Sequence, residues 1–186
     1  MGAKSPAFRL QDETGAWVSM EDFKGKRVVL FFFQKASTPG CTVEACEFRD
    51  AMPRFDADGV AVVGISPDTW RRHAKFKDAQ RLPYPLLADK GALVCQAFGV
   101  WHRKLFWGRY YMGVVRSTFV IGANGRLEQE WRDVPHNGHA AAVSAWLRGE
   151  PGAAPLGAAP LGAAPLGAAP LGAAPLGAAP RAARKK

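Results

Sequence analysis

The chain has 186 residues and a net charge of +9, from 25 basic and 16 acidic side chains. It is 48% hydrophobic and 22% charged, so most of it can bury an ordinary core, at a length that suits one domain plus an extension. Three cysteines exclude a disulfide-stapled secreted scaffold, no apolar run reaches the roughly 20 residues of a membrane span, and Met1 to Leu10 lacks the apolar core of a signal peptide; a cytoplasmic protein without membrane contact is expected.

Val28–Phe33 is apolar, β-branched and aromatic, and predicts a buried strand. Ser37 to Gly40 predicts a turn that opens a helix running from Thr42 to about Arg54, with Pro53 near its end. Cys41 then sits in the first helical turn, where unpaired N–H groups and the helix dipole favour a thiolate. A second cysteine, Cys46, follows five residues later. Val60–Ile65 predicts another strand, and Asp68 an N-cap for a helix from Thr69 to about Gln80. Leu82–Leu87 reads as a short extended piece, and Asp89 as the cap of a helix through Phe98. Trp101 to Tyr111 mixes bases and aromatics and reads first as a connection with its aromatics packed on the core, then as a docking site for a reducing protein; nucleic-acid binding ranks last. Ser117–Ile121, Asn124-Gly125 and Arg126–Trp131 predict a hairpin with a type I′ turn, and a last helix runs from about Gly138 to Leu147.

A sharp boundary falls near Glu150. Gly-Ala-Ala-Pro-Leu repeats five times from Gly152 to Leu176, and a sixth copy ends at Arg181. Proline every fifth residue blocks helix and sheet, and one Leu per repeat offers little to bury. The expectation is two units: a domain over 1–150, and a disordered repeat tail over 151–186 with a basic tip. The tail is either a spacer that presents its tip to an anionic surface or inert low-complexity sequence. Four of the nine net charges belong to it (Arg181, Arg184, Lys185 and Lys186), leaving a mildly basic body that does not argue for nucleic acid. In the body, alternating strands and helices predict an α/β fold with a layered sheet, βαβ crossovers and an antiparallel hairpin.

Thr38-Pro39-Gly40-Cys41-Thr42-Val43-Glu44-Ala45-Cys46-Glu47-Phe48-Arg49-Asp50 resembles the peroxiredoxins, most closely the bacterioferritin-comigratory or PrxQ branch. The likeness returns at Gly64–Asp68, Pro85–Asp89, Tyr111–Ile121, Trp131-Arg132 and Gly138–Ala140, covering nearly all of residues 5–148. It implies a thioredoxin-like three-layer sandwich with a mixed central sheet. It also implies reduction of hydrogen peroxide and organic hydroperoxides by a cysteine pair, recycled by thioredoxin or glutaredoxin, in a monomer. Two departures stand out: Gln34 replaces the proline that usually begins the motif, and the family does not normally carry the repeat tail.

Within that resemblance Cys41 is the nucleophile that becomes a sulfenic acid, and Cys46 the thiol that resolves it to an intramolecular disulfide. Thr38 would hydrogen-bond the thiolate and a peroxide oxygen, and Arg116 would be the fixed cation. Glu44, one turn after Cys41, is expected to be tied to Arg116 or another cation. A free thiol with a pKa of about 8.5 is roughly 3% ionised at neutral pH, so complete ionisation gains only about thirtyfold. The site must also orient the peroxide and stabilise its departing oxygen. Residues five apart on a helix lie about 140° apart around the axis with Cα atoms roughly 8 Å apart. A disulfide needs less than about 7 Å, so the helix must unwind locally for the pair to join.

Cys95, in an apolar helical stretch, reads as core. His73, His102, His136 and His139 show no metal-ligand spacing with the cysteines, and neither metal nor haem is expected. The alternatives are a thioredoxin-like disulfide exchanger or binding protein without peroxidase turnover, and an interaction module working through its basic tail. Exchangers use Cys-x-x-Cys, which is absent here.

Overall fold

The computed structural model describes residues 2–150; the repeat segment, and the expectation placed on it, lie outside the described residues. Two short strands, β1 (Arg9–Gln11) and β2 (Trp17–Ser19), and a 3₁₀ turn (Met20–Phe23) come first. Then come β3 (Arg27–Phe32), α1 (Pro39–Ala57), β4 (Val60–Ser66), α2 (Trp70–Gln80), β5 (Leu86–Ala88) and α3 (Leu93–Ala97). A hairpin of β6 (Trp101–Phe106) and β7 (Arg109–Val114) precedes β8 (Ser117–Ile121), β9 (Leu127–Arg132) and α4 (His139–Leu147).

Seven strands form one mixed sheet in the order β2-β1-β5-β4-β3-β8-β9, and β6–β7 stand apart as a two-stranded ribbon. The inner strands β3, β4 and β5 run parallel, while β8 and β9 add antiparallel at one side. The alternation along β3 decides the layering. Val29, Phe31 and Phe33 enter a core with Ala45, Phe48 and Phe55 of α1, Phe76 of α2 and Val143 of α4. Val28, Leu30 and Phe32 face the opposite core, with Leu10, Val94, Cys95 and Phe98. Successive strand side chains point to opposite faces, so a run apolar at every position must be covered on both. The result is the expected thioredoxin-like three-layer α/β sandwich.

Several local expectations need correction. Helix α1 starts at Pro39, where proline is preset for a first turn, and runs through Pro53 to Ala57. Thr69, not Asp68, caps α2, its hydroxyl accepting from the Arg72 amide. In the hairpin of β8 and β9, Gly125 has positive φ (73°) and Asn124 does not. The Gly125 amide donates to Gly122 and the Gly122 amide to Arg126, both at 2.8 Å, which makes a type I turn closed by a left-handed glycine rather than type I′. The ribbon has the I′ signature instead: Trp107 (φ 51°) and Gly108 (φ 73°) link Phe106 to its pairing partner Arg109. Its aromatics do not pack on the core as expected. Trp107 is 90% exposed and Tyr110 and Tyr111 are also exposed, while Trp101 at its base is partly buried against the core.

Phe48 holds α1 to the sheet. Its ring stacks on Phe31 at 4.5 Å between centroids, with Phe55 at 6.0 Å and His139 at 6.2 Å. Phe48→Ala is expected to lose about 3–5 kcal/mol of stability, read as a lower urea midpoint at unchanged m-value.

Candidate active site

The loop between β3 and α1 meets α1 at Cys41, which is 1% exposed. Thr42 N donates to the Thr38 carbonyl at 2.9 Å, and its hydroxyl donates to the same oxygen at 2.8 Å. The amides of Gly40 and Cys41 lie ahead of that first helical bond and point out of the helix start, where they suit an anionic oxygen. Thr38 is the N-terminal flanking residue of α1, but its hydroxyl donates to the Lys35 carbonyl at 2.9 Å rather than capping the helix or meeting Cys41. The hydroxyl oxygen can still accept a hydrogen bond from a molecule in the adjoining space.

Arg116 lies between β7 and β8, only 8% exposed. Its Nη2 donates to Cys41 Sγ at 3.4 Å, and its Nη1 donates to Glu44 Oε2. Cys41, Glu44 and Arg116 therefore form one buried triad, with Glu44 tied to Arg116 as its helical spacing required. Burial pushes the Glu44 carboxyl up and Arg116 opposes that shift. Glu44 Oε1 has no hydrogen-bond partner, so it is the oxygen that takes a proton when burial prevails. Arg116 is itself held above its usual range: burial opposes this, but Glu44 and Cys41 outweigh it.

The loop ahead of Cys41 is clamped from β4 and α2. Asp68 Oδ2 accepts the Ala36 amide at 2.6 Å and the Ser66 hydroxyl at 2.9 Å. Arg72 Nη2 donates to the Ala36 carbonyl at 3.2 Å and pairs with Asp68 at 3.3 Å. Both polar groups of the Ala36 peptide positions are thus held by side chains, next to Ser37, whose φ is +65°. This clamp stands beside the position where Gln34 replaces the motif proline. A cavity of about 580 Å³ opens on the loop, bordered by Gln34, Lys35, Thr38 and Asp68 on one side and by Lys104, Tyr111 and Met112 of the ribbon on the other. Lys104 Nζ donates to the Val114 carbonyl at 2.9 Å, and desolvation lowers its pKa.

Of the four expected residues, Cys41 and Arg116 touch, and Thr38 borders the cavity. Cys46 is apart, half-buried, its thiol donating to Gln80 Oε1 at 3.5 Å. All three cysteines are free. Burial, then Asp89, raises the Cys95 thiol far above its usual range, as fits a core residue. Arg72 and Lys104 carried no motif signal, and Asp68 read only as a helix cap within a stretch of the family likeness, because their contacts come from distant parts of the chain. Among the described residues no cluster of His, Cys, Asp and Glu could hold a metal, and no helix is long and apolar enough to cross a membrane.

A buried cysteine at a helix start, touched by a guanidinium on a thioredoxin-like frame, defines a thiol-based redox enzyme. A model of the AhpC/TSA family matches residues 1–130. Peroxiredoxin Bcp of Bacillus subtilis is 44% identical over 148 residues, covering 80% of this chain and 94% of that protein. Its Escherichia coli namesake is 41% identical over 147 residues, 79% of this chain and 94% of that protein. A Xanthomonas campestris bacterioferritin comigratory protein, solved in work on its alkyl peroxide reduction, superposes with a TM-score of 0.73 at 34% identity, over 76% of this chain and 90% of that one. The chain belongs to the AhpC/TSA family, in its Bcp/PrxQ peroxiredoxin branch, and is a thiol peroxidase.

His139, behind the triad, is buried and bonded through Nε2 to the Thr118 hydroxyl at 2.9 Å. Burial, then the charge of Arg116, lowers its pKa to about 4. The folded state therefore binds fewer protons than the unfolded chain between about pH 4 and 6.5, and this contribution to stability is lost as pH falls through that window. His139→Gln is expected to shrink the drop in urea midpoint between pH 7 and pH 5 relative to the parent; an equal drop in both would contradict the assignment.

Proposed function

We propose that the chain reduces hydrogen peroxide and organic hydroperoxides through Cys41. The thiolate attacks one oxygen of the peroxide, the O–O bond breaks, and the departing oxygen takes a proton to leave as water or alcohol. Cys41 is left as a sulfenic acid. The Cys46 thiol then condenses with it, releasing water and forming the Cys41–Cys46 disulfide. A dithiol protein, thioredoxin or glutaredoxin, reduces that bond and restores both thiols. The observation that carries this reading is the 3.4 Å contact from Arg116 to Cys41 Sγ, with Glu44 fixing the guanidinium from its other side.

Each site residue has a share in the peroxide step. Arg116 holds the negative charge of the thiolate and directs N–H groups at the peroxide. Thr38 accepts the hydroperoxide O–H, and the Gly40 and Cys41 amides face the oxygen on which charge develops. Dithiol reductants of this kind recycle thiols in the cytoplasm, where we place the enzyme as a monomer. The 151–186 segment is assigned no part in catalysis.

Cys41→Ser is expected to abolish hydrogen peroxide consumption coupled to a thioredoxin system; consumption equal to the parent's would reject the reading. Arg116→Met keeps the volume and removes the charge. It should lower the second-order rate of Cys41 oxidation by about 10²-fold or more in stopped-flow. The fold should survive that change, because an unpaired buried Glu44 takes up a proton rather than remaining charged. Removing residues 151–186 should leave turnover within about twofold of the parent, since every residue assigned to the peroxide step lies between 38 and 116.

A further inference from the structure

The Cys41–Cys46 disulfide cannot form while α1 is wound, and one short segment grips α1 at the turn that must open. Tyr84, fully buried, donates its hydroxyl to the Ala45 carbonyl at 2.6 Å. That carbonyl belongs to the peptide unit that carries Cys46. Gln80 Oε1 accepts the Cys46 thiol at 3.5 Å, and the Gln80 carbonyl accepts Arg49 Nη1 at 2.9 Å. Three consecutive features of one helix face, at residues 45, 46 and 49, are thus held by residues 80 and 84.

The gripping segment is itself rigid. Arg81 takes a left-handed conformation (φ 52°) that ends α2, and Pro83 and Pro85 flank Tyr84 and restrict its backbone. Lys77 Nζ donates to the Tyr84 carbonyl at 2.9 Å, and the ring meets Phe31 edge-on at 5.7 Å. Such an anchor does not follow α1 when it unwinds, so the contacts from residues 80 and 84 are made in the wound state and broken in the disulfide state.

We propose that Tyr84, with Gln80, is a latch that keeps the Ala45–Cys46 turn wound and so limits how fast Cys46 resolves the Cys41 sulfenic acid. This rests on Cys46 being the resolving thiol. The reaction is a condensation in which the Cys46 sulfur bonds to Cys41 Sγ, the Cys41 S–O bond breaks and water leaves. While the latch is closed, the sulfenic acid stays exposed to a second hydroperoxide, which would convert it to a sulfinic acid and leave as water or alcohol. Tyr84 is a positioning residue: its hydroxyl bonds the Ala45 carbonyl, and it acts through that group.

Tyr84→Phe removes the hydroxyl and keeps the ring. The Ala45 carbonyl retains its ordinary helical partner, the Arg49 amide, so no buried group is stranded. The full chain is pulsed with hydrogen peroxide in stopped-flow, and cysteine products are mapped by mass spectrometry. Loss of one buried hydrogen bond should speed disulfide closure about fivefold and lower the sulfinic yield at Cys41, with the rate of the first peroxide step unchanged. A purely structural role would instead change stability without this split between the two steps. Unchanged or slower closure in a variant with native near-UV circular dichroism overturns the latch. If Tyr84→Phe does not fold, Gln80→Ala decides, and it should also close faster. A parent that forms no Cys41–Cys46 disulfide overturns the resolving role of Cys46 together with the latch, whereas a normal parent with an unaltered variant overturns the latch alone.

Discussion

Arg116 stands between Cys41 and Glu44, in a place where a negative charge on either would be poorly tolerated alone. A fully buried carboxylate is pushed toward its neutral form, and a buried thiolate has no water to share its charge. One guanidinium serves both, because its planar fork offers separate nitrogens to two acceptors and it does not lose its proton. Glu44 orients the fork and keeps it from turning toward solvent; Cys41 receives what remains of its field. The rest of the molecule brings these three side chains to one point: α1 supplies Cys41 and Glu44 on one face, and the stretch between β7 and β8 supplies Arg116 from 72 residues beyond Glu44.

The loop that delivers the start of α1 is fastened as tightly as the triad. Asp68 and Arg72 hold the amide and carbonyl of Ala36 from the far side of the sheet crossover. These charge-assisted bonds do the fixing that a proline ring achieves covalently, and they lie two residues after Gln34. The same crossover, continued through α2 to Gln80 and Tyr84, grips α1 one turn beyond Cys41. A single βαβ unit therefore fastens the loop before Cys41 at one end of α2 and the Ala45–Cys46 turn at the other. In the proposed cycle rigidity suits the peroxide step and release suits the disulfide step, and the contacts divide along that line.

Much of the frame was legible in the linear chain. Val28–Phe33 announced a strand buried on both faces, since no solvated face could tolerate it, and Pro39-Gly40-Cys41 announced a helix start. Other parts misled. Asp68 carries the chemistry of an N-cap, yet its carboxylate bonds a backbone amide 32 residues earlier and leaves the cap to Thr69. Asn124-Gly125 carries the type I′ signature, but one positive φ and a shift in the ladder produced a longer turn. Trp107-Gly108 made the I′ turn without advertising it, because tryptophan is a poor guide to left-handed backbone. The aromatic and basic ribbon looked like core material because burial is only half-encoded in residue type; its strands pair with each other and leave Tyr110 and Tyr111 outside.

Local sequence was enough for the cysteine at a helix start, the alternation of strands and helices, and the need for Glu44 to find a cation, because each depends on residues within one turn or one strand of each other. The partnership of Arg116 with both anions, the clamp on Ala36 and the grip of Tyr84 on Ala45 arose on folding. They join groups 32 to 75 residues apart, and a contact at that separation is set by how the layers stack rather than by any local pattern of side chains.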